Sequence, residues 1–326
     1  MSPFLWIGFV AGILVCVALD LGVFQRRAHA ARPREALTWT ALWVALAASF
    51  AFVVHRVYEA GGVPPGVASH DPTTGVEAVQ LYFTAYLVEY SLSLDNVVVI
   101  ALIFSHFRVP LAFQHRVLFW GVLGAIVLRF VFIFIGATLL AQVGWVSYLF
   151  GAILILSAGR ILFGRDEGLA PERNLWVRLA ERVYPVHDVF AGSRFFVRLE
   201  GRVHVTRLFV VLLLVESSDL VFAVDSIPAA LAVTRDPFLV FTSNVFAVLG
   251  LRSLYFALAP LIARFRYLRA SLVILLAFVG AKLALSHHVE IPTTTTLAVI
   301  VTTVAVGGLA SLLRPGNAVQ PDQDRA

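Results

Sequence analysis

Six carboxylate side chains lie within stretches of the sequence that are otherwise apolar. They are Asp20, Glu89, Asp95, Glu216, Asp219 and Asp225. One Asp near the centre of a membrane helix costs roughly 2.5–3.5 kcal/mol. The last five together would therefore cost on the order of 12–18 kcal/mol, which is comparable to the stability of a whole domain. We expect these groups to be paired, protonated or bound to a cation.

The spacing of the acids predicts a break in the helices that carry them. Glu89 and Asp95 are six residues apart, and so are Asp219 and Asp225. Six residues correspond to about 120° around a regular helix, so one helix could not aim both acids at one point. Pro228 is placed to interrupt the second of these helices. Interrupted helices commonly hold cations near the membrane midplane.

Only oxygen ligands are expected at depth, because all nine histidines lie in loops or at helix ends. Cys16 is the single cysteine, which excludes an internal disulfide and a thiolate metal cluster. Carboxylate, carbonyl and water ligands suit Mn²⁺, Ca²⁺ and Mg²⁺ better than Zn²⁺ or Cu²⁺. The predicted ligands are the residues with oxygen-bearing side chains at depth: Asp20, Glu89, Asp95, Asn96, Glu216, Asp219, Asp225 and Asn244, with Ser226 beside them.

The roles within this set differ. Asp95, Asp219 and Asp225 are the expected direct ligands. Glu89 and Glu216 are expected to tune the charge of the site or to carry counter-transported protons. Asp20 lies near the predicted inner end of its helix, where a structural role in contact with water is an open alternative.

Internal neutralisation is the alternative to cation binding. Four basic residues also fall within apolar stretches: Arg129, Arg160, Arg252 and Lys282. Each could pair with an acid, but six acids against four bases leave two negative charges. One divalent cation would balance them.

The elements that carry these residues are predicted to be transmembrane helices. The chain is 60% hydrophobic and 14% charged, against roughly 45–50% and 25% for soluble domains. Its apolar residues are concentrated in nine fields, each long enough to cross ~30 Å of hydrocarbon. We predict an all-α, polytopic bundle of about nine helices near residues 3–24, 37–58, 79–104, 117–140, 143–163, 208–233, 237–262, 268–285 and 291–313.

The distribution of basic residues predicts the orientation. With the N-terminus outside, the inner segments hold 19 of the 25 Lys and Arg, and the outer segments keep only Arg56 and Arg235. This asymmetry follows the positive-inside rule and predicts an inner C-terminus in the cytoplasmic membrane. It also accounts for the basic net charge without a nucleic-acid partner.

The chain divides into two helical parts. Residues 1–163 form the first, 164–207 a cytoplasmic connector, 208–313 the second, and 314–326 a tail predicted to be disordered. The connector fits either a short amphipathic surface helix or a solvated linker. EYSLSLDN at 89–96 aligns with DLVFAVDS at 219–226, on helices predicted to run in opposite directions. This predicts an inverted repeat.

Four motifs give the sequence a resemblance to the TerC/Alx family of integral membrane proteins. They are LDLGVF in the first helix, EYSLSLDN in the third, ESSDLVFAVDSIPA in the sixth and TSNVFAVLGLRSLYF in the seventh. Several members of the family are implicated in manganese export or manganese homeostasis. The resemblance also implies membership of a broader superfamily of exporters built from inverted repeats of three-helix units. By motif position it implies a site at Glu89, Asp95, Asn96, Glu216, Asp219 and Asp225, supported by Asp20, Asn244 and Arg252. The tellurium resistance for which the family is named is not explained by an acidic site, which repels oxyanions.

The predicted function is therefore export of a divalent cation, with Mn²⁺ as the leading candidate, through an acidic site at the bilayer midplane. A Ca²⁺ transporter of the same architecture is one alternative. A non-transporting membrane scaffold in tellurite or metal stress resistance is another, with its acids held by Arg129, Arg252 and Lys282. The sequence contains no HExxH, P-loop or nucleophile-elbow motif, so we expect neither an enzyme nor an organic cofactor.

Overall fold

Long α-helices make up most of the part of the chain that the computed structural model describes. That part comprises residues 3–24, 33–61, 74–163, 177–178, 182, 186–187, 192–199, 202–258, 267–289 and 291–313. The helices are α1 (Pro3–Phe24), α2 (Pro33–Glu59), α3 (Gly75–His106), α4 (Leu111–Gln142), α5 (Val146–Phe163), α6 (Arg207–Leu231), α7 (Pro237–Leu249), α8 (Leu251–Leu258), α9 (Leu268–Leu285) and α10 (Thr293–Leu313).

The predicted all-α membrane architecture is confirmed. Each apolar field coincides with one helix, except the seventh, where α7 and α8 follow one another. Six helical segments of the described chain are long and apolar enough to cross a membrane: 35–59, 75–106, 111–142, 146–163, 237–258 and 293–311. The segment formed by α7 and α8 is buried along its length, so protein rather than lipid surrounds it.

The prediction that the helices are interrupted at the acidic motifs is wrong. Both α3 and α6 are continuous through their motifs. Pro228 lies inside the final turn of α6, where the Ala232 N–H still donates to the Pro228 carbonyl at 2.9 Å. A proline so close to a helix end removes one hydrogen bond, and little helix remains beyond it to be redirected. The interruption lies instead at Gly250, between α7 and α8.

Contacts near the helix ends support the predicted alternation of the connecting segments between the two ends of the bundle. At the predicted outer end, the Tyr58 hydroxyl of α2 donates to Asp236, between α6 and α7, at 2.6 Å. At the predicted inner end, the Tyr255 hydroxyl of α8 donates to Gln114 of α4 at 3.1 Å. Which end faces the cytoplasm stays a prediction.

The described part of the connector contains a small β-sheet that the sequence analysis did not predict. Its strands are β1 (Val186–His187), β2 (Phe196–Leu199) and β3 (Arg202–Thr206), in the order β1-β3-β2. β3 pairs antiparallel with β2 and parallel with β1. The sheet meets the start of α4, where the Arg116 guanidinium lies 5.0 Å from the centre of the Phe195 ring. The predicted amphipathic helix falls mostly outside the described residues.

Helices α5 and α9 approach each other closely at two glycines. A Cβ atom on Gly151 would lie 2.7 Å from the Gly280 carbonyl oxygen and 2.9 Å from Ala284. Small residues allow such close contact between membrane helices. Gly159, eight residues further along α5, has nothing within 4 Å of an added Cβ.

We expect Gly151→Ala to lower the free energy of unfolding by about 1–3 kcal/mol, because the added methyl group overpacks the contact. Gly159→Ala is the matched control, since it makes the same change on the same helix in open space. Thermal unfolding of the two purified variants in detergent measures the difference. Equal stabilities would contradict the assigned contact.

Candidate functional site

An arginine is at the centre of the polar cluster inside the bundle. Arg129 of α4 has no exposed surface, and it is the bulkiest of the fully buried side chains in the described chain. It is surrounded by Glu89 of α3, Asp219 of α6 and Asn244 of α7. Glu89 and Asn244 are fully buried, and Asp219 is 9% exposed. We call these four residues the arginine centre.

The guanidinium connects the other members of the centre. Its Nη1 donates to Glu89 Oε1 in a short, charge-assisted hydrogen bond and to Asn244 Oδ1 at 2.7 Å. Its Nη2 lies 3.6 Å from Asp219 Oδ1, which is an ion-pair contact and too long for a strong hydrogen bond. Ser226 Oγ of α6 lies 3.5 Å from Nη1. Arg129 therefore donates a hydrogen bond to Glu89 and makes only an ion-pair contact with Asp219.

The centre lies midway along its helices. Asp219 is the thirteenth of 25 residues in α6, Glu89 the fifteenth of 32 in α3, and Arg129 the nineteenth of 32 in α4. Because a helix of this length spans the hydrocarbon core, residues at its middle lie near the bilayer midplane. This agrees with the midplane position expected for the acidic site.

Several buried oxygens around the centre lack hydrogen-bond partners among the described residues. Those that can act as acceptors are Glu89 Oε2, Asp219 Oδ2, Asn96 Oδ1 and Ser93 Oγ. The donors Arg129 Nε, Arg129 Nη2 and Asn244 Nδ2 also lack hydrogen-bond partners there. Buried polar groups are normally paired, so each orphan group needs an explanation. The orphan acceptors among these groups are potential ligands for a positively charged or proton-donating guest.

A small cavity is lined in part by two of the residues that carry these oxygens. It has a volume of about 20 Å³ and is lined by Asn96 of α3, by Ser218 and Asp219 of α6, and by apolar residues around them. About 10–15 Å³ is enough to hold one water molecule. The cavity therefore offers room for one small guest beside the Asp219 carboxylate.

The charge within the centre does not balance. Among the described residues, Arg129 is the basic side chain in ion-pair contact with Glu89 and with Asp219. With both carboxylates ionised, the centre carries one uncompensated negative charge. Isolated charges at this depth are costly. A proton would neutralise that charge, and a divalent cation would exceed it by one positive charge.

The other predicted ligands lie apart from the centre. Asp225 accepts a 2.5 Å hydrogen bond from Ser157 of α5. Glu216, half-buried on α6, packs its carboxylate against Gly124 of α4. Asp95 is half-buried, and no hydrogen bond or ion pair joins it to the described residues of the centre. The side chain of Asp20, in α1, lies outside the described part.

The expectation that all these acids meet in one pocket is therefore corrected. No group of three or more His, Cys, Asp and Glu side chains that could hold a metal occurs within the described residues. The structure brings together Glu89, Asp219 and Asn244, with Asn96 beside Asp219. The physical reason is that α3 and α6 stay regular, so acids six residues apart point in different directions.

Arg129 is a predicted partner of the acids but is not among the residues of the predicted site. The position of Arg129 within its apolar field indicates that it belongs to the site. Arg129 lies at the middle of the apolar field 117–140, whereas Arg160 and Lys282 lie near the ends of theirs. A mid-field arginine cannot reach the interface by extending its side chain, so it requires an internal counter-charge.

Comparison with known proteins identifies the family. Residues 74–318 match the profile of the Integral membrane protein TerC family. The chain is 44% identical over 323 residues to the Uncharacterized membrane protein STKORF319 of Myxococcus xanthus, covering 99% of this chain and 96% of that protein. It is 41% identical over 302 residues to the Putative membrane-bound redox modulator Alx of Escherichia coli (strain K12), covering 92% and 91%. No solved structure matches the chain. On these findings, together with its bundle of apolar helices, the chain belongs to the TerC family of integral membrane proteins.

Proposed function

We propose that this TerC-family protein exports a divalent cation, Mn²⁺ foremost, across the cytoplasmic membrane. The supporting observation is the small midplane cavity lined by Asn96 and Asp219, each of which has a buried oxygen without a partner among the described residues. Amide and carboxylate oxygens suit hard divalent ions such as Mn²⁺ and Ca²⁺. This chemistry alone does not separate those two ions, so Ca²⁺ is the first competitor to include in a transport assay.

Arg129 acts in this proposal as the internal counter-ion of the two carboxylates when no cation is bound. Its loose 3.6 Å contact with Asp219 makes Asp219 the carboxylate that a cation can recruit at low cost. Glu89 keeps its short hydrogen bond to the guanidinium, so Arg129 stays neutralised when Asp219 turns to the cation. This exchange of one positive partner for another keeps the Asp219 carboxylate paired with a positive charge.

The remaining acids take indirect roles in this mechanism. Glu216 lies one helical turn from Asp219 and on the same face of α6, which makes it a proton acceptor for counter-transport. Asp225, held by Ser157, and the half-buried Asp95 lie outside the proposed cation position. The mechanism involves no enzymatic step and no organic cofactor.

A non-transporting membrane scaffold is the second candidate, favoured by the contact of Arg129 with both Glu89 and Asp219. In that case the ion pairs would serve only to hold α3, α4 and α6 together.

The name redox modulator of the Alx relatives suggests a third role. With a single cysteine, dithiol exchange would require a second molecule.

Transport by the purified protein in liposomes separates these candidates. We expect Mn²⁺ to enter protein-containing vesicles faster than empty ones, and the rate to change when a pH gradient is imposed. The matched control is the Asp219→Asn variant reconstituted at the same protein-to-lipid ratio. Absence of flux in wild-type vesicles, with and without the gradient, would favour the scaffold.

A further inference from the structure

A larger cavity opens at the predicted outer end of the bundle, away from the arginine centre. Its volume is about 660 Å³, within the range of small-molecule sites. The start of α3, the turn after α6, the end of α9 and the start of α10 form its walls. It shares no lining residue with the arginine centre.

Two cationic side chains face this cavity without a described counter-ion. Lys282 of α9 and Arg235, in the turn after α6, both line it, and both are half-buried. Neither makes an ion pair with a described residue. Glu77 is the one acid among the described lining residues, so the described wall carries a net positive charge. A half-buried ammonium in a membrane helix is stabilised by an anion.

The rest of the wall fits the same ligand chemistry. Five hydroxyl side chains line the cavity: Thr74, Thr234, Ser286, Thr293 and Thr294. Hydroxyl groups donate hydrogen bonds to anionic oxygens. Helices α3 and α10 also begin at this wall, and the N-terminal end of a helix favours negative charge. The apolar lining residues, among them Leu81 and Ile291, add room for a hydrocarbon portion.

We propose that this outer cavity binds a phosphate-type oxyanion, held by Lys282, Arg235 and the hydroxyl side chains. The same chemistry is offered by free phosphate and by the head group of an anionic phospholipid. The proposal is independent of Mn²⁺ export, because its residues are separate from those of the arginine centre. An acidic cation site cannot supply this binding, since it repels anions.

Two binding measurements on the purified full-length protein distinguish free phosphate from the head group of an anionic phospholipid. In the first, inorganic phosphate is titrated at constant ionic strength while thermal unfolding is followed, since a ligand of the folded state raises the unfolding temperature. In the second, native mass spectrometry compares retention of phosphatidylglycerol and phosphatidylcholine. Stabilisation by phosphate identifies a free-anion site, and selective retention of phosphatidylglycerol identifies a lipid site. Either result supports the proposal, and failure of both overturns it.

Variants connect the binding to the assigned residues. We expect Lys282→Gln and Arg235→Gln each to lower the affinity for the bound anion by roughly tenfold or more. This change corresponds to about 1.4 kcal/mol of binding free energy. Arg56→Gln is the matched control, because Arg56 is an exposed cation near the same end of the bundle and does not line the cavity. Equal weakening in Arg56→Gln, or unchanged binding in both cavity variants, would overturn the assignment. The wild-type titration tests the proposal even where a variant does not fold.

Discussion

Replacing Asp219 by Asn is expected to reduce Mn²⁺ transport in liposomes by at least roughly tenfold, corresponding to about 1.4 kcal/mol of lost cation binding. The substitution removes the charge that adjoins the small midplane cavity and keeps the shape of the side chain. The fold should survive, because Arg129 retains its short hydrogen bond to Glu89. Flux of Mn²⁺ into vesicles, at matched protein content, measures the effect.

Asp225→Asn is the matched control, since it makes the same chemical change on the same helix six residues away. Asp225 is held by Ser157 and lies outside the small cavity, so we expect its flux to stay within about twofold of wild type. The sequence analysis ranked the two residues alike as ligands, and the structure separates them. If the two variants lose flux equally, the cavity beside Asp219 is not the cation position.

Replacing Arg129 by Gln is expected to destabilise the protein by about 3–5 kcal/mol, because it leaves Glu89 and Asp219 buried without a counter-charge. Arg129→Lys should lose less, since it keeps the charge but not the planar fork that contacts several partners at once. Thermal unfolding in detergent, with monodispersity checked by size-exclusion chromatography, compares the variants.

The double variant Arg129→Gln with Glu89→Gln tests whether the loss comes from the ion pair. Removing both charges should restore part of the stability lost in Arg129→Gln alone, and the double-mutant cycle gives the coupling free energy. A wild-type unfolding temperature in Arg129→Gln would show that Arg129 does not neutralise these acids. That result would also remove the observation favouring a scaffold.

Much of the fold could be predicted from the sequence because lipid imposes one strong rule. Each spanning segment must satisfy its backbone internally and present apolar side chains over about 20 residues. The apolar fields therefore coincide with helices, and the break within the seventh occurs at Gly250. The β-sheet of the connector follows a weaker signal, namely two short runs rich in Phe and Val on either side of Glu200 and Gly201.

The site could be predicted only in part, because helical geometry gives directions within one helix and not between helices. Six residues along a regular helix separate Asp219 and Asp225 by about 120° around the helix axis, and α6 is regular at these residues. The break in α6 that was predicted to bring the two acids together is absent there. The structure resolves the conflict by giving the two acids different partners, Arg129 and Ser157. Which helix meets which acid depends on packing between α4, α5 and α6, and no spacing in a single sequence encodes that.

The order in which the members of the arginine centre are synthesised has a consequence for biogenesis. Glu89 and Arg129 lie on consecutive helices, α3 and α4, so their charges can neutralise each other as soon as this hairpin leaves the translocon. Asp219 and Asn244 emerge later from the ribosome. The first part of the chain can thus be inserted with its arginine already matched, and the late arrival of Asp219 adds the surplus negative charge only when the assembled bundle can shelter it.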